Sequence, residues 1–162
     1  MSQLLEVRRQ AGPHSQPYWE RYEVADGCVT VADALDASAS ARVTAAGKRV
    51  EPLVWSGPCP TLDCGPCVLL VNGKLGYACV TRIDAVARPG KPLRISPLAR
   101  LGVLRDLLVG SDGLRSNRAR LSAWVDSSVD HTAQRAAARQ LFSSCTECGA
   151  CVEACPEGGA FV

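Results

Sequence analysis

Nine cysteines in 162 residues, eight of them in two tight groups, limit what this chain can be more than any other feature. The groups are Cys59, Cys64, Cys67 and Cys79, and then Cys145, Cys148, Cys151 and Cys155; Cys28 stands apart. A disulfide framework belongs to secreted chains, with cysteines spread along the sequence. Here the first residues, MSQLLEVRRQ, place arginines after the leucines and lack a signal-peptide core. The expectation is a cytoplasmic protein with reduced thiols, and crowded reduced thiols point to metal.

Composition narrows the class further. Hydrophobic residues make up 47% and charged residues 21%, as in folded globular domains. A formal net charge of +2 with scattered arginines argues against nucleic acid or an anionic membrane as partner. No apolar run approaches the roughly 18 residues that cross a bilayer, so no direct membrane span is expected.

Leu4–Arg9 and Tyr18–Val24 alternate apolar and polar residues around the Gly12-Pro13 turn and read as a hairpin. Thr30 opens a helix to about Ala39, with Asp33 three residues on as capping-box partner. Val68–Val71 and Leu75–Thr81 flank Asn72-Gly73, a tight hairpin turn, and Leu93–Ile95 is a further strand. Beyond about Leu98 the leucines 101, 104 and 108, then Leu114, Leu121, Trp124 and Val125, recur at helical spacing. A third helix, Ala133–Phe142, would run into the second cysteine group. Two domains follow, 1–97 rich in strands and 98–162 helical, with the boundary near Pro97.

The segment CPTLDCGPC with Cys79 has the spacing C-x4-C-x2-C-x11-C. A plant-type [2Fe–2S] cluster needs four thiolates on two irons, three from one loop and one from a neighbouring strand. Gly65 and Pro66 allow a close backbone wrap, and the Asn72-Gly73 turn brings Cys79 back to the loop. Structural zinc also takes four cysteines, but pairs two short knuckles. Asp63 beside Cys64 either lowers the cluster's potential or points to solvent.

CTECGACVEACP is C-x2-C-x2-C-x3-C-P, the bacterial-ferredoxin run for [4Fe–4S] clusters. Cys145, Cys148 and Cys151 grip three corners of a cube, and the fourth cysteine normally serves another cluster. The seven residues after Cys155 hold no partner motif. Three explanations stand open: the sequence is a truncated piece, another chain completes the site, or all four cysteines surround one cluster.

The order of motifs resembles the iron–sulfur subunit of succinate dehydrogenases and fumarate reductases. CGPCVLLVNGKLGYAC is similar to that family's two ligands, hairpin and fourth ligand, RISPLARLGVLRDLLV to its linker, and LSAWV to the segment that follows. CTECGACVEACP resembles the version in the subgroup whose membrane anchor carries haem. The likeness runs from about Val7 to Pro156; the family's C-terminal part, with its remaining ligands and quinone-side residues, has no counterpart here.

The resemblance implies an α+β chain: a β-grasp plant-type ferredoxin domain, then a small, incomplete α-helical bacterial-ferredoxin-like domain. It implies [2Fe–2S] on Cys59, Cys64, Cys67 and Cys79, three [4Fe–4S] ligands in Cys145, Cys148 and Cys151, and Cys155 as first ligand to [3Fe–4S]. The implied partners are an FAD-containing flavoprotein subunit acting on succinate or fumarate and a quinone-reactive membrane anchor. The chain would then carry electrons as an oxidoreductase subunit, without a substrate site of its own, on the cytoplasmic face of the inner membrane. A free-standing soluble ferredoxin, a zinc module, or the iron–sulfur subunit of another flavin-linked oxidoreductase fits the cysteines alone.

Cys28 reads as a buried small apolar residue on a strand. His14 and His131 lack partners, and Trp19, Trp55 and Trp124 read as core or interface residues. There is no nucleophile constellation or phosphate-binding glycine loop.

Overall fold

The computed structural model describes residues 3–57, 65–114, 116 and 146–156. Strand β1 (Leu4–Arg9) buries Leu5, Val7 and Arg9 on one side, the period-two pattern read from the sequence. It pairs antiparallel with β2 (Tyr18–Glu23), Leu5 facing Tyr22 and Val7 facing Glu20. The strands β3 (Val68–Val71), β4 (Lys74–Tyr77) and β5 (Leu93–Ser96) complete a five-stranded sheet in the order β2-β1-β5-β3-β4. The β1–β5 pair is parallel and lies inside the sheet. This is the mixed sheet of a β-grasp fold.

Helix α1 (Val31–Ala41) covers the core face. Its start has the reciprocal cap that the sequence implied: the Thr30 hydroxyl accepts from the Asp33 N–H at 3.2 Å, and the Asp33 carboxylate accepts from the Thr30 N–H at 2.8 Å. The Thr30 N–H bond leads the hydrogen bonds that hold the Asp33 carboxyl below its usual range. Val31, Ala34 and Leu35 are fully buried in one cluster with Leu5, Val7, Leu69, Leu93 and Ile95. One further helical turn, α2 (Ile83–Val86), buries Ile83 in the same core.

The opposite face of the sheet carries a charge cluster. The nearly buried Glu6 carboxylate accepts from Arg21 at 3.0 Å and from Arg94 at 2.6 Å, and the Arg94 guanidinium also lies 4.6 Å from the Trp19 ring centroid. The Arg94 hydrogen bond is the leading cause that holds the Glu6 carboxyl below its usual 4.5. A carboxyl with a depressed folded pKa stabilises the fold above its unfolded value, and that contribution is lost as pH falls through the folded value. Acid unfolding of the native chain should therefore steepen below pH 4.5. In Glu6→Gln that part of the acid limb should flatten, as read from urea midpoints across a pH series; coincident pH profiles would contradict it.

The helical expectation for Leu101, Leu104 and Leu108 is corrected. Strands β6 (Val103–Arg105) and β7 (Leu108–Val109) form a small antiparallel hairpin, closed by a Gly110 N–H to Gly102 carbonyl bond of 2.8 Å. Asp106 at its turn has φ 49° and is 2% exposed. Its carboxylate receives the Arg9 guanidinium at 2.9 Å, the Gln10 N–H at 3.0 Å and the Val54 N–H at 3.0 Å. A three- to four-residue leucine spacing suits a helix, but a buried acid that must reach β1 holds the chain in a turn. Leu121, Trp124, Val125 and the helix expected at 133–142 lie outside the described residues.

Candidate metal centre

Two of the first four cysteines meet, and the sheet is what brings them together. Asn72 (φ 51°) and Gly73 (φ 77°) make the primed turn that suits a two-residue hairpin, so Val68 faces Tyr77 across β3 and β4. Asn72 is fixed further, its amide donating to the Val86 carbonyl at 2.9 Å and accepting from the Arg94 N–H at 3.0 Å. Past the last strand pair, the Ala78 N–H donates to the Cys67 carbonyl at 2.9 Å, while the Ala78 carbonyl accepts from the Ala32 N–H of α1 at 3.0 Å. Cys79 is thereby held beside Cys67.

Their sulfurs lie 3.5 Å apart, and Cys67 is fully buried. A disulfide would place them about 2.05 Å apart. Two thiolates sharing one tetrahedral metal at bonds of about 2.3 Å sit roughly 3.8 Å apart. The spacing excludes a bonded disulfide and lies near that of two thiolates on one metal, and two cysteine sulfurs are the donors that the iron of a [2Fe–2S] cluster takes. Cys59, Cys64 and Asp63 lie outside the described residues.

The loop leading to this pair is tied at both ends. Asp106 holds the Val54 N–H, the Leu107 N–H donates to the Val54 carbonyl at 3.1 Å, and the Trp55 indole N–H donates to Asp36 at 3.1 Å. The Ser56 hydroxyl then donates to the Pro66 carbonyl. Sequence reasoning missed Asp106 and Ser56 as supports of this loop. The one available signal was an acid set inside the apolar stretch LRDLLV.

The second group is built around helix α3 (Ala150–Ala154), which carries Cys151; Cys148 precedes it and Cys155 follows. Glu147 (φ 57°) and Gly149 (φ 77°) are both left-handed, so the chain curls tightly ahead of the helix. Gly149 is also tightly enclosed, since an added Cβ would lie 2.5 Å from the Leu101 side chain. Cys148, Ala150 and Val152 pack on Val68, Leu98 and Leu101. Arg100 closes the far end: its N–H donates to the Glu153 carboxylate at 3.1 Å, and its guanidinium donates to the carbonyls of Val152, at 3.3 Å, and Cys155. Among the described residues no three metal-ligating side chains converge on one point. Cys145 lies outside them.

Cys28 is half-buried in the loop between β2 and α1, not on a strand, and burial pushes its thiol pKa up, with Asp33 adding to the effect. Trp55 packs against the main core, and Trp19 is 44% exposed on the opposite face. His14 is exposed. Trp124 and His131 lie outside the described residues. No helix among the described residues is long and apolar enough to cross a membrane.

Residues 4–116 match the family model of a 2Fe-2S iron–sulfur cluster binding domain, and residues 141–159 that of a 4Fe-4S binding domain. The chain is 30% identical to the succinate dehydrogenase iron-sulfur subunit of Bacillus subtilis (strain 168), over 93% of this chain and 62% of that protein. It is 28% identical to the fumarate reductase iron-sulfur subunit of Mycobacterium tuberculosis (strain CDC 1551 / Oshkosh), over 86% of this chain and 54% of that one. The chain thus spans little more than half the length of these relatives. Its fold matches a chain of the Mycobacterium smegmatis Sdh1 complex in the apo form, with a TM-score of 0.62 and 20% identity over 95% of this chain and 63% of that one.

Proposed function

This chain belongs to the 2Fe-2S iron–sulfur cluster binding domain family, among the iron–sulfur subunits of succinate dehydrogenases and fumarate reductases, and on that premise we propose that it relays electrons one at a time between a flavoprotein subunit and a quinone-reactive membrane anchor. The flavoprotein would act on succinate or fumarate, so this chain needs no substrate site. It would sit on the cytoplasmic face of the membrane through its partners. The first domain, to about Pro97, and the second, from Leu98, would each carry one cysteine group.

In this reading Cys59, Cys64, Cys67 and Cys79 hold a [2Fe–2S] cluster. Cys145, Cys148 and Cys151 hold three corners of a [4Fe–4S] cluster, and Cys155 serves either that cube or a [3Fe–4S] cluster. Such clusters store and release single electrons; the protein supplies position, solvent exclusion and electrostatics. Full burial of Cys67 keeps water from its thiolate, and the Ala78–Cys67 hydrogen bond fixes where Cys79 stands. The observation that carries the reading is the 3.5 Å approach of the two sulfurs.

Anaerobic mixing of the purified chain with chemically reduced flavin mononucleotide tests it. The visible iron–sulfur absorption should bleach as the flavin is oxidised, and return in air. An iron-containing chain that takes no electron from the flavin would overturn the relay.

A further inference from the structure

Gly65 has a backbone that does not need glycine: its φ is not in the left-handed region where Gly27, Gly47, Gly57, Gly73, Gly90 and Gly149 lie. What surrounds it does need one. A Cβ on Gly65 would lie 2.8 Å from the Thr146 carbonyl oxygen, 2.9 Å from the Cys148 Cβ and 3.0 Å from the Thr146 hydroxyl. The first two atoms are rigidly attached to the chain and cannot swing aside. Nor can the segment that bears them easily retreat. Gly149 is packed on Leu101 and Leu98, and Arg100 grips Val152, Glu153 and Cys155 from the other end.

We propose that Gly65 is a positioning residue, the seat on which the second cysteine segment docks, and that its missing side chain sets the spacing between the two sets of thiolates. The neighbours of Gly65 are Cys64 and Pro66, and Cys67 follows, so the contact joins the loop of the first cysteine group directly to Cys148 of the second. This differs from the expectation that Gly65 serves the close backbone wrap of its own cysteine loop. As far as clusters are concerned, the inference rests on the relay reading above; the docking itself does not.

The test is Gly65→Ala in the full 162-residue chain, purified without oxygen. Amide hydrogen exchange across 146–154 should accelerate on the order of tenfold, while β1, β3 and β5 keep native protection. Iron and visible absorption of the first site are read alongside, to tell loss of that site from loss of the docking. Where both sites are filled, the effect of the second centre on the spin relaxation of the first should weaken.

Unchanged exchange at 146–154 would overturn the proposal. So would loss of the first site's iron with native exchange there, since Gly65 would then serve its own loop. If the native chain holds no iron, the relay reading fails, and the exchange comparison alone still decides the docking. Should Gly65→Ala not fold, Gly149→Val displaces the same segment from the Leu101 side. Protection should then be lost together at 146–154 and at 65–67; loss at 146–154 alone would sink the idea.

Discussion

Replacing Asp106 with alanine should destabilise the folded chain by about 3 kcal/mol or more, because removing one partner strands a buried charge. Arg9 and Asp106 side chains are 3% and 2% exposed. Burial works against the Arg9 charge, yet the hydrogen bond to Asp106 leads the contacts that keep its pKa above the usual value. In Asp106→Ala the guanidinium keeps Glu20, at 2.7 Å, and the Tyr22 hydroxyl, which places the cost at the lower end of the range for broken buried pairs. Burial raises the Tyr22 pKa, with Glu20 also acting to raise it, so the phenol stays protonated and cannot replace the lost anion. The Gln10 and Val54 N–H groups lose their acceptor as well, at about 1–3 kcal/mol for each that stays buried.

Urea unfolding followed by tryptophan fluorescence measures this loss. Asp106→Asn, which keeps an acceptor but no charge, should fall between native and alanine. Asp84→Ala, which removes the surface partner of Arg82, should not move the midpoint measurably. An Asp106→Ala chain as stable as the native one would show that the hairpin does not anchor β1. Because Asp106 also holds Val54, the variant should take up iron more slowly even where it folds.

The second large effect is at the sulfur pair. Cys79→Ser should lower the bound iron by about two atoms per chain and remove the matching visible absorption. A serine oxygen is a poor substitute for thiolate, and nothing in the hairpin would move another cysteine into its place. The fold should survive, since Cys79 is only partly buried against the core that Ala78 and Cys67 help to fill. Cys28→Ser is the internal control: half-buried in its loop, Cys28 should leave the iron content unchanged. Equal iron in native and Cys79→Ser chains would remove Cys79 from the site.

What the sequence made legible is local chemistry. The capping box of Thr30 and Asp33 and the left-handed Asn72-Gly73 turn depend on residues within a few positions of each other, and both stand where they were expected. The meeting of Cys67 and Cys79 follows from that same turn, because a two-residue hairpin fixes the register of everything beyond it. Leu101, Leu104 and Leu108 misled, because the reason for their turn is Arg9, 97 residues from Asp106 in sequence. The role of Gly65 was hidden for the same cause: Thr146 and Cys148 approach it from a distant segment, and nothing in CGPC announces them. Cys28 looked like strand because Val29 to Val31 follow it, whereas Gly27 (φ 89°) had already turned the chain.

Whether the thiolates of the first group share iron is decided by metal and acid-labile sulfide analysis of the native chain, isolated without oxygen and compared with Cys67→Ala. The native chain should carry iron and sulfide in equal amounts, at least about two of each, with Cys67→Ala losing that pair. Stoichiometric zinc without sulfide, or native chain free of metal, would contradict shared iron.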